Sequence, residues 1–139
     1  MRQELNFWVL GGDMRQGKLA QLLSEDGHRV HAYALEEGVV PADGLTVEDS
    51  LRGAGEADCV ILPLPVSQGE GKLNCPLSRL EPTLVQVMEA IRPGQMVCGG
   101  RVDPVTEALA GQRGIAVLDY FAREELAVAN AVPTAEGAV

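Results

Sequence analysis

A short loop that holds one acidic and one basic residue carries the clearest chemistry in this sequence. The loop, Gly11-Gly12-Asp13-Met14-Arg15-Gln16-Gly17, follows an apolar run at residues 7–10 and opens a helical pattern. Arg15 falls near the first turn of that helix, where its guanidinium and the free backbone N–H groups can bind one carboxylate. The pattern fits a structural role equally well, in which Asp13 caps the helix and Arg15 pairs with Asp13 or another surface acid.

The same loop is a poor match to a dinucleotide site. In a G-x-G-x-x-G turn, the glycines let the backbone approach a pyrophosphate. Asp13 stands where the second of these glycines belongs, and its charge would repel phosphate. No G-x-G-x-x-G occurs in the 139 residues, so we expect these residues to bind no nucleotide cofactor.

Further polar groups follow predicted strands. Ser67 comes after the stiff Pro63-Leu64-Pro65 exit, where its hydroxyl could bind a substrate or the segment could be only a rigid connection. Gly99-Gly100-Arg101 fits either a ligand contact or a tight turn. Tyr120 fits either a ligand contact or packing against the next helix.

The cysteines and histidines do not have metal-ligand spacing. Cys59, Cys75 and Cys98 form no CxxC pair, and His28 and His31 point to opposite faces of a strand. We therefore expect no metal. Free thiols in apolar runs are typical of a reducing compartment, which favours the cytoplasm.

The charge balance excludes two classes of partner. Twenty acidic and 11 basic residues give a net charge of −9, which argues against nucleic acid and anionic membranes. The sequence has no apolar run approaching the ~20 residues that a membrane helix needs.

Strand and helix patterns alternate along the chain. Short apolar runs bounded by Gly and Pro predict strands, and apolar residues at helical spacing predict helices between them. The predicted strands are residues 7–10, 29–35, 59–65, 96–98 and 115–120, and the predicted helices are 16–24, 47–52, 81–91, 105–110 and 124–129. This order predicts an α/β fold, a flavodoxin-like or Rossmann-like doubly wound parallel sheet of about five strands with helices on both faces. Ligands of such sheets bind at the carboxyl ends of the strands.

The end of the sequence resembles the start of a helix. Asn130 is a good N-cap, Pro133 suits a first turn, and Glu136 suits the helix dipole. A helix of so few residues is not stable alone. We therefore expect one domain of a longer protein, with residues 1–128 as the domain and 129–139 as the beginning of an interdomain helix.

Three segments together resemble one family, that of the dipicolinate synthase A subunits. They are Gly11-Gly12-Asp13-Met14-Arg15-Gln16, Leu62-Pro63-Leu64-Pro65 and Asn130-Ala131-Val132-Pro133-Thr134-Ala135-Glu136-Gly137. The resemblance implies an NADP-dependent oxidoreductase of sporulating bacteria that oxidises a dihydrodipicolinate-type intermediate of the lysine pathway to dipicolinate. It also implies a flavodoxin-like substrate domain, a C-terminal Rossmann domain that holds NADP and is absent from this sequence, and a flavoprotein partner, the dipicolinate synthase B subunit.

The resemblance transfers site positions one residue at a time. It implies substrate contacts for Asp13, Arg15, Gln16, Asn130 and Thr134, to which the strand-edge argument adds Ser67. Glu136 is a candidate general base. Because the substrate would be a small dicarboxylate, an arginine at a helix start is a suitable anchor for one carboxylate.

Two other interpretations stay open. The chain could be a stand-alone flavodoxin-like binding or regulatory module without catalytic activity, although the phosphate loop of a flavodoxin is missing. It could also serve in oligomerisation, and a homo-oligomer is compatible with either function.

Overall fold

A computed structural model describes residues 4–40 and 42–119 of the chain. Within these residues, strands alternate with helices except between the second and third strands. The elements are β1 (Asn6–Leu10), α1 (Met14–Glu25), β2 (Arg29–Tyr33), β3 (Leu45–Glu48), a 3-10 turn (Ala54–Glu56), β4 (Cys59–Ile61), α2 (Leu84–Ala90), β5 (Met96–Gly99), α3 (Pro104–Gln112) and β6 (Val117–Asp119).

The strands form one parallel sheet in the order β3-β2-β1-β4-β5-β6. The chain builds outward from β1 to one edge and then returns to build outward from β4 to the other. The predicted α/β class with a doubly wound parallel sheet is therefore confirmed. The point at which the strand order reverses lies between β1 and β4, where such sheets form a crevice.

The sheet has six strands, one more than the predicted number of about five, and the helix predicted at residues 47–52 is absent. The segment instead contributes β3, which pairs with β2 through Val30 with Leu45 and Ala32 with Val47. Leu45 is buried against α1 and its neighbours, and this tertiary contact outweighs the weak helical preference of the charged residues that follow. Four residues are too few for periodicity to distinguish a strand.

Other boundaries shift for local reasons. α2 starts at Leu84 rather than near residue 81, because Thr83 and Gln86 form a reciprocal capping box and Pro82 precedes it. β4 ends at Ile61, ahead of the prolines that were predicted to end it. The helix predicted at 124–129 and Tyr120 lie outside the described residues.

The two faces of the sheet carry separate cores. On the first, here the α1 face, α1 packs on β1, β2 and β3. On the opposite face, the α2/α3 face, Trp8, Val60 and Val97 pack beneath α2 and α3. The longest described helix has 12 residues, and none of the helices within 4–40 and 42–119 has the length and apolarity to span a bilayer.

α1 approaches the loop after β2 through a glycine. A Cβ atom built on Gly17 would lie 2.0 Å from the carbonyl oxygen of Gly38, a distance that no packed structure accommodates. Gly17 therefore sets how closely α1 approaches the loop after β2.

We predict that Gly17→Ala lowers the free energy of unfolding by about 1–3 kcal/mol, because backbone would have to move apart to admit the methyl group. Gly111→Ala in α3 is the matched control, since a Cβ there meets nothing within 4 Å. The Gly111→Ala substitution should leave the free energy of unfolding unchanged or raise it by up to about 1 kcal/mol. Urea unfolding measures both, and equal effects of the two substitutions would contradict the prediction.

Candidate functional site

The loops that follow β1, β4 and β5 meet at the carboxyl edge of the sheet. The N–H of Gly11 donates to the carbonyl of Tyr33 at 2.8 Å, and the N–H of Leu62 donates to the carbonyl of Cys98 at 2.7 Å. Each hydrogen bond continues the strand pairing by one step. The loops therefore leave the sheet side by side, as the doubly wound topology requires of a binding edge.

Asp13 and Arg15 form an ion pair at the start of α1. Asp13 Oδ1 accepts hydrogen bonds from the Arg15 N–H at 2.9 Å and from Arg15 Nε at 3.1 Å, and Oδ2 accepts from Nη2 at 2.9 Å. Hydrogen bonds from the Arg15 side chain and backbone hold the pKa of Asp13 below its ordinary value. The capping role considered from the sequence is therefore confirmed, and the substrate role of both residues stays a prediction.

This ion pair stands at the surface. The Arg15 side chain is 71% exposed and that of Asp13 is 46% exposed. Exposed pairs contribute about 0–1 kcal/mol to stability, because water screens both charges. Rearrangement of the guanidinium toward another carboxylate would therefore cost little.

A small pocket of about 260 Å³ adjoins the ion pair. Asp13, Arg15 and Gln16 line it together with Leu19 and Leu64. The pocket therefore combines one cation and one anion with an apolar wall.

Gln16 has a structural position at the floor of this pocket. Its side chain is buried, and Nε2 donates to the carbonyl of Leu10 at 3.1 Å and reaches the carbonyl of Ile61 at 3.5 Å. The amide thus joins the ends of β1 and β4. A substrate contact of Gln16 stays a prediction.

Ser67 is engaged within its own loop. Its hydroxyl donates to the carbonyl of Lys72 at 2.6 Å and accepts from the N–H of Gly69 at 3.1 Å. These bonds close the turn that follows the Leu64–Pro65 cis peptide bond. The structure does not bring Ser67 into the pocket lined by Arg15, and its proposed substrate contact stays untested.

Asn74 is the residue of this edge that the sequence did not indicate. Its backbone carbonyl accepts from the Gly12 N–H at 2.8 Å, and its backbone N–H donates to the Val66 carbonyl at 2.9 Å. Its side-chain Nδ2 donates to the Pro65 carbonyl at 3.0 Å. An asparagine inside a long polar loop has no periodicity that would reveal such a role.

Glu36 fastens the other side of the same loop, and the sequence did not indicate it either. Its Oε2 accepts from the Arg79 N–H at 2.9 Å. Burial raises the pKa of Glu36, but hydrogen bonds from the Arg79 N–H and the Ser78 hydroxyl outweigh this effect and leave the pKa below its ordinary value. Glu36 is therefore an ionised anchor of the loop.

The glycines after β1 are used for contact within the chain. A Cβ on Gly11 would lie 2.5 Å from the carbonyl oxygen of Asn74, and the Gly12 N–H already donates to that oxygen. The Asp13 carboxylate occupies the start of α1, where a pyrophosphate would bind. This geometry does not fit a dinucleotide at the loop.

The thiols lie apart from the pocket lined by Arg15. Burial raises the pKa of Cys59 to about 12, and the adjacent Cys98 thiol adds to the shift. Burial also raises the pKa of Cys75, whose Sγ donates to two loop carbonyls. Among residues 4–40 and 42–119, no three His, Cys, Asp or Glu side chains are grouped as metal ligands.

Three predicted site residues, Asn130, Thr134 and Glu136, lie outside the described residues. Nothing in the described part of the chain tests their roles.

Comparison with known proteins identifies the family. The sequence model for the N-terminal domain of the dipicolinate synthase A subunit matches residues 6–121. The chain belongs to this family. The resemblance noted from the three sequence segments is therefore confirmed.

Individual relatives agree with this assignment. The chain is 28% identical over 139 residues to the dipicolinate synthase A subunit of Bacillus subtilis (strain 168), covering 97% of this chain and 46% of that protein. The crystal structure of the dipicolinate synthase A chain from B. subtilis has a TM-score of 0.76 at 23% identity, over 99% of this chain and 47% of the other. The crystal structure of the dipicolinate synthase A subunit from Bacillus halodurans has a TM-score of 0.74 at 20% identity. This match covers 96% of this chain and 46% of the other. The chain thus spans about half the length of the relatives it matches.

We predict that the charge of Asp13 stabilises the fold only above acid pH. The pKa of Asp13 is lower in the folded chain than in the unfolded chain. The stabilisation from its charge is therefore complete above the unfolded-state pKa of about 3.9, and it is lost as the pH falls through the lower folded-state pKa. Asp13→Asn keeps a capping oxygen but removes the charge. It should be less stable than the parent by up to about 1 kcal/mol at pH 7 and equal to it in acid.

Urea unfolding between pH 7 and pH 2.5 measures this difference. Asp13→Ala separates the two roles, since losing the cap as well should cost about 1 kcal/mol even in acid. A constant gap between the parent and Asp13→Asn across the whole range would contradict the assigned ion pair.

Proposed function

We propose that this chain forms the substrate-binding wall of an NADP-dependent oxidoreductase that oxidises a dihydrodipicolinate-type intermediate to dipicolinate during sporulation. Membership of the family of dipicolinate synthase N-terminal domains supports this class of enzyme. The observation that carries the proposal is the exposed Arg15 guanidinium, which stands at the start of α1 beside a pocket at the carboxyl edge of the sheet.

Arg15 is proposed to anchor one carboxylate of the substrate. A guanidinium presents two parallel N–H groups to a carboxylate, and these now contact Asp13. The Asp13 carboxylate could keep its hydrogen bond from the Arg15 backbone while the side chain turned toward a ligand. Since the chain carries a net charge of −9, a dicarboxylate needs such a local cation to approach.

The pocket is proposed to orient the ring of the substrate. Leu19 and Leu64 give it an apolar wall against which a flat ring can pack, while Arg15 fixes one end. Two constraints on a rigid planar molecule define its orientation. This wall would then present the opposite side of the ring to the rest of the enzyme.

Other parts of the active site are proposed to come from outside the described residues. The loop after β1 does not fit a dinucleotide, so NADP would be held by a further domain, as the greater length of the relatives allows. Asn130 and Thr134 stay candidate substrate contacts, and Glu136 stays a candidate base. The flavoprotein B subunit of dipicolinate synthase is proposed as the partner, because the relatives are named as subunits.

We predict that dipicolinate, titrated into the ¹⁵N-labelled chain, perturbs the amide NMR signals of residues 11–16. The expected Kd is about 10 mM, which corresponds to a binding free energy of about −2.7 kcal/mol. Arg15→Ala should weaken this binding by up to about 5-fold, because one exposed charge-assisted contact worth up to about 1 kcal/mol is lost.

Arg92→Ala is the matched control, since Arg92 is an exposed arginine in a different groove, near the end of α2. It should leave the titration unchanged. Perturbations elsewhere, no perturbation, or an equal effect of both substitutions would remove Arg15 from the site. Saturable binding of FMN at residues 11–16 would instead favour a flavodoxin-like module.

A further inference from the structure

The loop after β5 places a second arginine at the carboxyl edge of the sheet. Strand pairing forms one row across β1, β4 and β5, which consists of Val9, Ile61 and Cys98. Leu64, which lines the pocket beside Arg15, lies three residues beyond this row along the chain from β4. Arg101 lies three residues beyond the same row along the chain from β5. Arg101 therefore follows the strand next to the one that leads into a wall of that pocket.

The loop after β5 is held in place through its backbone. The Arg101 N–H donates to Asp119 Oδ1 at 3.3 Å, and the Val102 N–H donates to Asp119 Oδ2 at 2.8 Å. At the start of the loop, a Cβ atom built on Gly99 would lie 2.9 Å from Val66 Cγ2, so the backbone packs closely there. Arg101 itself is exposed to solvent. The loop thus carries an exposed cation on a backbone that is fixed at both ends.

The backbone conformation of Arg101 suits glycine better than arginine. Its φ is 53°, in the left-handed region, where a Cβ atom crowds the following carbonyl oxygen and glycine has no such contact. Strained residues of this kind cluster at active sites and ligand clamps. The guanidinium is the property that an arginine adds at this position, and it lies on the edge of the sheet where ligands bind.

We propose that Arg101 binds the second carboxylate of the dicarboxylate whose first carboxylate is bound by Arg15. This inference rests on the proposed function, because it takes the same class of substrate and the same edge of the sheet. The ends of β1 and β5 are two strand spacings apart, or about 10 Å, a distance that two arginine side chains can bridge around a single ring. Two such guanidinium groups favour a dicarboxylate over a monocarboxylate, since only the dicarboxylate uses both.

A second cation also fits the charges at this edge. Asp13 follows β1 and places a negative charge beside the Arg15 guanidinium. Arg101 follows β5, and the carboxylate next to it, that of Asp119, is directed to backbone N–H groups of the loop. In a chain with a net charge of −9, a ligand with two negative charges therefore meets one cation on each side of the pocket.

The test compares dipicolinate with picolinate, the analogue with one carboxylate, by NMR titration of the ¹⁵N-labelled 139-residue chain. In the parent, dipicolinate should shift the amide signals of residues 11–16 and 99–102 with one common Kd, because one molecule contacts both loops. It should also bind several times more tightly than picolinate. In Arg101→Gly, the affinity for dipicolinate should fall by up to about 5-fold, toward that of picolinate, while residues 11–16 still respond.

The choice of variants separates the charge from the backbone. Because glycine suits the local φ, the midpoint of urea unfolding of Arg101→Gly should stay close to that of the parent, so that lost affinity reports the missing guanidinium. Arg101→Lys keeps a charge without the planar fork and should retain part of the preference for dipicolinate. Arg29→Ala is the matched control. Arg29 has a 65% exposed side chain at the start of β2, on the opposite edge of the sheet, and its loss should leave both affinities unchanged.

The outcomes distinguish this inference from the proposed function. Four results would overturn the inference and leave the Arg15 site standing: shifts at residues 11–16 without shifts at 99–102, equal binding of the two acids by the parent, an undiminished preference for dipicolinate in Arg101→Gly, or an equal loss in Arg29→Ala. A chain that binds dipicolinate at neither loop would overturn the proposed function and the role of Arg101 together.

Discussion

The contact of two glycines with one carbonyl fixes the carboxyl edge of this sheet. Gly11 and Gly12 both have positive φ, at 55° and 86°, and bring the end of β1 against the carbonyl of Asn74. The Asn74 side chain in turn holds the carbonyl of Pro65, and Gln16 bridges the ends of β1 and β4. This contact positions one side of the long loop after β4 relative to the start of α1, and the hydrogen bond from the Arg79 N–H to Glu36 holds the other side.

This arrangement explains why a glycine-rich turn after the first strand does not by itself indicate a nucleotide. Glycine is required wherever backbone must approach closely, and the approaching group can be a phosphate or a carbonyl of the same chain. Here, the carbonyl of Asn74 occupies that place and the Asp13 carboxylate occupies the helix start. Two acceptors therefore already use the N–H groups that a pyrophosphate would need.

The sequence predicted the parts of the fold that depend on local signals. β1 and β4 were predicted because they lie in short apolar runs bounded by Gly or Pro, and α1 because its apolar residues fall at helical spacing. β3 was missed because it is determined by pairing with β2 and by burial of Leu45 against α1, neither of which is a local signal. Asn74 was missed because its partners are backbone atoms that any sequence possesses. For the candidate site, the sequence predicted that Asp13 and Arg15 lie at the edge of the sheet. It did not decide whether Arg15 pairs with Asp13 or with another acidic residue.

The Asp13–Arg15 pair also limits what this surface could do as a binding site. Asp13 stays fixed through the Arg15 backbone N–H whichever way the guanidinium turns, so a bound carboxylate would always have a negative neighbour. One exposed guanidinium against that neighbour supplies specificity for charge but little affinity. In the proposed enzyme, tight and selective binding would therefore depend on a second wall that closes over the ligand and excludes water, because the same contacts strengthen in a less polar surrounding. A weak but correctly oriented first contact is what such a closing site requires of this domain.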